Sequence, residues 1–230
     1  MKSLQTIPDK KLLRKAQQVY NLLETHFGLP EWREPLPALD ELISTILSQN
    51  TNDINRDLAF LRLKRQFGSW EAVRDAALED VIEAIRPAGL ANRKAPRIQD
   101  ILRQISDERG ELDLEFLKAM PPEQVRSWLN RFNGVGPKTA AIVMQFALEI
   151  PAFPVDTHIY RISGRVGLRP AQMGADEAHA WMELLFEPRQ YGPGHLNLIR
   201  LGREICTARK PHCEKCPLNE ICDFYQSNQR

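Results

Sequence analysis

The fold is decided by the stretch Leu129-Asn130-Arg131-Phe132-Asn133-Gly134-Val135-Gly136-Pro137-Lys138-Thr139-Ala140-Ala141, which lies between two segments of helical periodicity. Two glycines around one apolar residue permit a tight hairpin whose backbone N–H groups face outward, and Pro137 suits the first position of the following helix. Exposed N–H groups at a helix N-terminus bind phosphate. The stretch therefore predicts a helix, a hairpin and a helix that contact a phosphate backbone, and an ordinary turn between two helices is the alternative.

The composition is that of a folded globular protein. The chain has 230 residues, of which 43% are hydrophobic and 27% charged, and this balance argues against disorder. At about 100–200 residues per domain, the length allows one large domain or two small ones. No apolar run approaches the ~18–20 residues of a membrane span, and the polar N-terminus lacks a signal sequence. We expect a cytoplasmic protein with no membrane partner.

Helical periodicity recurs along the chain, and no stretch alternates as a strand ladder would, so the sequence predicts an all-α fold. The first helix should begin after Asp9, as its N-cap, and end at Gly28. Further helical patterns lie near residues 38–49, 53–66, 69–76, 78–85, 94–106, 113–119, 121–132, 137–149, 156–167, 175–186 and 194–208.

The formal net charge of +1 provides no global positive field, so any nucleic-acid site must be a local basic patch. One such patch is predicted between residues 126 and 169, where six cations stand against two anions. The cations are Arg126, Arg131, Lys138, Arg161, Arg165 and Arg169.

The four cysteines all lie in the last 25 residues, at Cys206, Cys213, Cys216 and Cys222. In a reducing compartment such a group is more often a metal site than a pair of disulfides. Four thiolates suit either zinc or an iron–sulfur cluster, and the residues themselves do not decide between the two. Two disulfides and unliganded thiols are the alternatives. We expect a structural rather than a redox role, because a short loop with little apolar content needs a metal to hold its shape.

Lys138 falls in the first turn of a predicted helix, where the helix dipole disfavours a cation. Partial burial would lower the pKa of its amine further, which would favour a nucleophilic amine, although a single lysine is more often a phosphate contact. Eighteen residues later Asp156 precedes another helix, where an aspartate most often acts as an N-cap. A nucleophile and a carboxylate near two helix N-termini can form a catalytic pair.

Three motifs together resemble the endonuclease III family of helix-hairpin-helix DNA glycosylases. They are FNGVGPKTAAIVM (132–144), PVDTHIYRISGRVGL (154–168) and the C-x6-C-x2-C-x5-C tail, and the similarity extends from about Ala38 to Cys222. The resemblance implies two helical domains with a DNA-binding cleft between them. A six-helix barrel with the hairpin would span 31–150, and a cluster domain would combine 1–30 with 151–230. It also implies a [4Fe–4S] cluster held by the four cysteines.

The resemblance assigns roles to individual residues. Lys138 matches the lysine that forms a Schiff base, and Asp156 the carboxylate that assists it. Gln49 matches the residue that fills the place of the extruded base, with a surface residue at a helix end as the alternative. Leu90 matches a second wedge, with a loop anchor as the alternative. The implied DNA contacts are Gln49, Leu90, Gly134, Val135, Gly136 and Thr139.

The function implied is base-excision repair by a bifunctional DNA N-glycosylase and AP lyase acting on an oxidised pyrimidine. The partner would be double-stranded DNA with a damaged base or abasic site, bound by a monomer associated with the nucleoid. Asn133 and Pro137 replace Pro and Arg of the enterobacterial type, and Thr45 stands where adenine-mismatch relatives carry glutamate. The alternatives are a glycosylase for uracil or thymine opposite guanine, and a DNA damage-binding protein without chemistry.

Overall fold

The computed structural model describes residues 7–30 and 34–229. Every regular element in these ranges is helical, which confirms the predicted all-α fold. The described residues divide into two compact units, one of residues 34–150 and one that combines residues 7–30 with 151–229. The expected boundary between residues 30 and 31 adjoins residues 31–33, which lie outside the described residues.

Twelve α-helices lie in the described ranges, together with short 3₁₀ helices. They are α1 (Lys10–Phe27), α2 (Ala38–Ser48), α3 (Asp53–Phe67), α4 (Trp70–Asp75), α5 (Leu78–Ile85), α6 (Ala91–Arg109), α7 (Pro122–Asn130), α8 (Pro137–Phe146), α9 (Thr157–Val166), α10 (Glu177–Leu185), α11 (Tyr191–Glu204) and α12 (Asp223–Asn228). None of the described helices is both long and apolar enough to cross a membrane.

Most predicted helices agree with the structure, and the differences have local causes. The Asp9 side chain caps α1 by accepting a hydrogen bond from the N–H of Leu12 at 2.7 Å. Helix α6 begins three residues before the predicted start because its N-cap, Leu90, supplies no side-chain cap that the sequence would reveal. Helix α11 also begins earlier, since Pro193 lies in its first turn, where proline is tolerated. The pattern at 113–119 is a 3₁₀ helix, Glu115–Ala119.

We call the unit of residues 34–150 the central unit. It is built around α2, in which every residue from Ala38 to Leu47 is buried. Helix α2 packs against α3 and α8. The buried Asp40 at its N-terminal end accepts hydrogen bonds from Trp70 Nε1 at 2.6 Å and from Lys64 Nζ at 3.2 Å. These bonds tie α2 to α3 and α4, and the C-terminal end of α2 leads directly to Gln49.

The unit formed by the two ends of the chain contains α1 and α9 to α12. Its core includes Val19, Phe153, Ile159, Trp181 and Leu198. Helix α11 packs against α1 and α9. The residues from Cys206 to Cys222 lack a long helix and contain two 3₁₀ turns, Cys213–Lys215 and Asn219–Ile221.

Candidate functional site

The hairpin of the central unit is closed by its own backbone. The N–H of Val135 donates to the carbonyl oxygen of Phe132 at 3.0 Å, and the Val135 side chain is only 3% exposed. The expectation that the hairpin N–H groups all face outward is therefore wrong for Val135, because a tight turn uses this donor internally. Gly134 has φ +84°, in the left-handed region that favours glycine.

Helix α8 begins at Pro137 immediately after the hairpin, and no side chain caps its N-terminus. The N–H groups of Lys138 and Thr139 belong to the first turn, where no carbonyl of the helix lies within reach. Lys138 is exposed rather than partly buried. Thr139, backbone included, is only 4% exposed.

Gln49 lies at the C-terminal end of α2 and contacts the hairpin. Its Nε2 donates to the carbonyl oxygen of Gly134 at 3.0 Å, and its Oε1 accepts from Arg97 Nη1 at 3.3 Å. The structure therefore places Gln49 beside Gly134, two residues that lie 85 positions apart in the chain. Arg97 was not among the residues singled out from the sequence.

Leu90 lies in a strained loop between α5 and α6. Its φ is +52°, and its side chain is 47% exposed although it is large and apolar. A non-glycine residue with such a φ is uncommon and marks a conformation that the surrounding structure enforces. The loop therefore presents a large apolar side chain to solvent.

Lys94 is a buried cation that sequence reasoning missed. It is 2% exposed, and its Nζ donates to the carbonyl oxygens of Leu47 at 2.7 Å and Ala88 at 2.8 Å. Burial lowers the pKa of this amine to about 8, with a smaller contribution from the charge of Arg97. Lys94 thus joins the segment before Gln49 to the segment before Leu90. No local motif signals this role, because the Leu47 partner is 47 positions away.

Asp156 is the N-cap of α9 in the other unit. Its Oδ1 accepts from the N–H of Ile159 at 2.8 Å. Within the described ranges no hydrogen bond reaches Oδ2, so one carboxylate oxygen remains available. His158, two residues on, packs against Gly202 and lies 3.1 Å from Arg161 through its Nδ1.

Four of the six cations in the predicted basic patch contact groups of their own unit. Arg131 pairs with Glu108, and Arg169 donates to the Tyr160 carbonyl oxygen. Arg161 and Arg165 donate to carbonyl oxygens of the cysteine loop. Each of these four guanidinium groups therefore has at least one partner within the protein.

The four cysteines line one cavity in the unit formed by the two ends of the chain, and none of them forms a disulfide. Arg165 donates to Cys206 Sγ at 3.3 Å and to the carbonyl oxygens of Thr207 at 2.7 Å and Ala208 at 2.8 Å. Arg161 Nη2 donates to the Cys206 carbonyl oxygen at 2.8 Å. Two arginines of α9 therefore hold the start of the cysteine loop.

The four cysteines can be compared with the ligand sets of metal centres in proteins. Among the described residues, no three His, Cys, Asp or Glu side chains are arranged to hold one metal ion. A single zinc would require four sulfurs about 2.3 Å from one centre, whereas an iron–sulfur cluster separates its thiolates, each on its own iron. Desolvation, with a smaller effect of the neighbouring thiols, raises the pKa of Cys216 to about 11, so a bound cation is needed to hold it as a thiolate. Four cysteines that line one cavity supply the ligand set of an iron–sulfur cluster.

Residues 43–188 match the family model of the HhH-GPD superfamily base excision DNA repair proteins. Residues 206–222 match the iron–sulfur binding domain of endonuclease III. Endonuclease III of Thermotoga maritima is 34% identical over 80% of this chain and 82% of its own length. The chain belongs to the endonuclease III family.

Other relatives agree with this assignment. Endonuclease III of Sulfolobus acidocaldarius is 32% identical over 81% of this chain and 82% of its own length. An Arabidopsis thaliana protein described as a DNA glycosylase is 43% identical, but the matched region spans only 45% of that relative. The solved structure of a trapped endonuclease III–DNA covalent intermediate superposes with a TM-score of 0.81 and 25% identity, over 95% of this chain and 99% of the other.

This endonuclease III-family chain is thus a base-excision DNA repair glycosylase. It carries the iron–sulfur cluster domain of the family at its C-terminal end. The resemblance drawn from the three sequence motifs is confirmed.

Proposed function

We propose that this glycosylase is bifunctional, excising an oxidised pyrimidine from double-stranded DNA and cutting the strand as an AP lyase. The observation that carries the proposal is the exposed amine of Lys138, in the first turn of α8 directly after the hairpin. A primary amine at this place is the group that a lyase needs. A glycosylase that only activates water has no need for it.

Lys138 is the nucleophile in this proposal. Its neutral amine attacks C1′ of the flipped deoxyribose, and the glycosidic C–N bond breaks as the base leaves with the electron pair and gains a proton. Opening of the sugar ring then gives an imine between Nζ and C1′. The imine acidifies C2′, so loss of a C2′ proton expels the 3′ phosphate and cuts the strand.

Asp156 assists this step as a carboxylate. It helps to remove the amine proton or stabilises the positive charge that develops on the sugar. The N-cap bond through Oδ1 fixes the side chain, and Oδ2 remains for this role.

The hairpin and the two exposed segments bind the DNA. The N–H groups of Gly134, Gly136 and Thr139 face a phosphate at the N-terminus of α8. Val135 contributes by anchoring the hairpin from inside, because its side chain is buried. Gln49 fills the place of the extruded base and Leu90 acts as a second wedge, which offsets part of the cost of unstacking.

The four cysteines are the ligands of a [4Fe–4S] cluster. When bound, the cluster supplies four iron–sulfur bonds that hold residues 206–222 in shape, and we assign it a structural role. The compact unit of residues 34–150 is then the helical domain that bears the hairpin, and the other unit is the cluster domain. The active form is a monomer.

Borohydride trapping on a duplex with one abasic site tests the lysine-based mechanism. The wild type should give a covalent adduct, whereas Lys138→Ala and the charge-conserving Lys138→Arg should give none. Lys11→Ala, at another exposed lysine, serves as the control and should trap like the wild type. Binding without an adduct in the wild type would contradict the proposal and indicate a monofunctional glycosylase or a damage-binding protein.

Substrate choice is tested separately with single-lesion duplexes. We expect excision of a ring-oxidised pyrimidine to exceed that of uracil or thymine opposite guanine by at least about tenfold, which corresponds to about 1.4 kcal/mol of discrimination. A preference for the guanine mismatches would leave the lyase proposal intact but would replace the oxidised pyrimidine as the substrate.

A further inference from the structure

Three groups from distant parts of the central unit meet at the hairpin. The Gly134 carbonyl oxygen accepts from Gln49 Nε2, and Gln49 Oε1 accepts from Arg97 Nη1. Arg97 lies on α6, one turn after Lys94. The residue proposed to replace the extruded base is therefore held by the hairpin on one side and by α6 on the other.

The two partners fix which way the Gln49 amide points. A carbonyl oxygen only accepts a hydrogen bond and a guanidinium only donates one, so the amide nitrogen must face Gly134 and the amide oxygen must face Arg97. Each partner uses only part of the amide. The Gln49 amide keeps one N–H and one oxygen lone pair that are not used by these partners. This donor and this acceptor can hydrogen-bond to the edge of an unpaired base.

Arg97 is partly buried beside the hairpin. Its guanidinium lies against Gly134 so closely that a Cβ added there would collide with it. Its Nε is buried and has no hydrogen-bond partner among the described residues. A buried N–H without a hydrogen-bond partner destabilises the folded protein. Other contacts of the Arg97 side chain must therefore account for its position. With the guanidinium in this position, Arg97 Nη1 donates a hydrogen bond to Gln49 Oε1.

We propose that Arg97 is a positioning residue that, with the Gly134 carbonyl, orients the Gln49 amide for contact with the base left opposite the lesion. The inference rests on the proposed function, in which Gln49 fills the vacated position. Arg97 acts through Gln49 and touches neither the sugar nor the lesion. Its effect on excision therefore depends on the identity of the opposite base.

The other role open to an arginine at this place is a direct phosphate contact, and it makes different predictions. A phosphate contact would weaken binding to every duplex, damaged or not, and its loss would reduce the salt dependence of binding by about one unit of slope. It would also act independently of Gln49. Burial of Arg97 Nε against Gly134 favours the positioning role, because a phosphate cannot reach this N–H of the guanidinium.

The test is a double-mutant cycle of Arg97→Met and Gln49→Ala, read by single-turnover excision. Methionine keeps the helix and most of the side-chain length but cannot donate. With a purine opposite the lesion, each single variant should be about 3- to 10-fold slower than the wild type, the size expected for loss of one oriented hydrogen bond. The double variant should be no slower than Gln49→Ala alone, because the two residues act as one unit. With an abasic site opposite the lesion, Arg97→Met should match the wild type.

Arg97→Lys separates charge from orientation. Lysine keeps the positive charge but lacks the rigid fork. It should therefore bind undamaged duplex like the wild type and yet show the opposite-base-dependent loss of Arg97→Met. Thermal unfolding of each variant checks that the hairpin remains folded.

Three results would overturn the inference. Additive losses in the cycle, or an equal loss on all duplexes together with a smaller salt slope, would make Arg97 a phosphate contact. Wild-type excision by Arg97→Met, with a slow Gln49→Ala, would reject the positioning role and leave the proposed function standing. Wild-type excision by Gln49→Ala would remove Gln49 from the proposed function, and the role of Arg97 would fall with it.

Discussion

Lys94 Nζ donates a hydrogen bond to the carbonyl oxygen of Leu47 at 2.7 Å, inside the central unit. Leu47 is in the last turn of α2, where carbonyl oxygens have no partner within the helix. A second bond from the same amine, to Ala88 at 2.8 Å, fixes the loop that presents Leu90. One buried side chain thus sets the position of both segments proposed to enter the DNA.

Removal of this amine should destabilise the protein. Lys94→Met keeps the side-chain volume but leaves two buried carbonyl oxygens without a donor, and we expect a loss of about 2 kcal/mol in the free energy of unfolding. Chemical denaturation measures it, with Lys11→Met on the surface of α1 as the control. A loss below about 0.5 kcal/mol would show that water replaces the amine without cost.

We expect the contribution of Lys94 to the free energy of unfolding to depend on pH. Its pKa falls to about 8 in the folded protein because burial disfavours the charged form, while the unfolded value stays near 10.5. The unfolded state therefore binds more protons between these values, so this residue's contribution to stability rises with pH across that window and is constant below it. The wild-type minus Lys94→Met difference in unfolding free energy should increase from pH 8 to pH 10. A flat or falling difference would contradict the lowered pKa.

Asp156→Asn should separate folding from chemistry. An asparagine oxygen accepts the same N-cap bond from Ile159, so unfolding should change by less than about 0.5 kcal/mol. Excision should fall at least about 100-fold, because the amide cannot take a proton. Asp9→Asn makes the identical change at the N-cap of α1 and should leave excision unaffected. Near-normal excision with DNA binding retained in Asp156→Asn would remove the carboxylate from the reaction.

Gly134→Ala should disrupt the hairpin. The φ of +84° strains any residue with a Cβ, and the added methyl group would displace the Arg97 guanidinium. We expect a loss of about 2 kcal/mol in unfolding free energy, together with weaker DNA binding. The matched control is Gly136→Ala, since no atom lies within 4 Å of a Cβ at Gly136. Equal stability of the two variants would show that the hairpin tolerates the strain.

Arg165→Met should weaken the hold on the iron–sulfur cluster. The guanidinium contacts Cys206 Sγ and two loop carbonyl oxygens, and loss of such supporting bonds typically costs at least about tenfold in metal retention. Cluster absorbance should therefore decay faster under air than in the wild type. Arg189→Met, at a largely exposed arginine paired with Glu187, should decay at the wild-type rate. Equal decay of both variants would limit Arg165 to loop packing.

The amino-acid sequence by itself determined the features whose partners are close along the chain. The cap of α1 at Asp9 and the cap of α9 at Asp156 each join residues three apart. The hairpin depends on a short run of glycine and proline, and the cysteine spacing lies within 17 residues. These motifs were sufficient for the all-α fold, the family and the cluster domain.

Tertiary structure decided which groups are available for function. It buried the Val135 side chain and closed its N–H within the turn, buried Thr139 and exposed Lys138. Whether a side chain meets solvent, a carbonyl oxygen or another side chain depends on which distant segments pack together, and periodicity does not encode this.

Lys94 and Arg97 show most clearly that the contacts of a side chain with distant segments cannot be inferred from the sequence. On sequence alone they are two cations in a helix rich in charge. Their partners, Leu47 and Gln49, lie 47 and 48 positions away, so only the packing of α2 against α6 reveals that they hold the segments proposed to enter the DNA. The Lys94 bonds are buried, which makes them costly to lose, and the Arg97–Gln49 bond is partly buried. The burial of each bond depends on which distant segments pack around it, so the effect of both residues on the site follows from the tertiary structure.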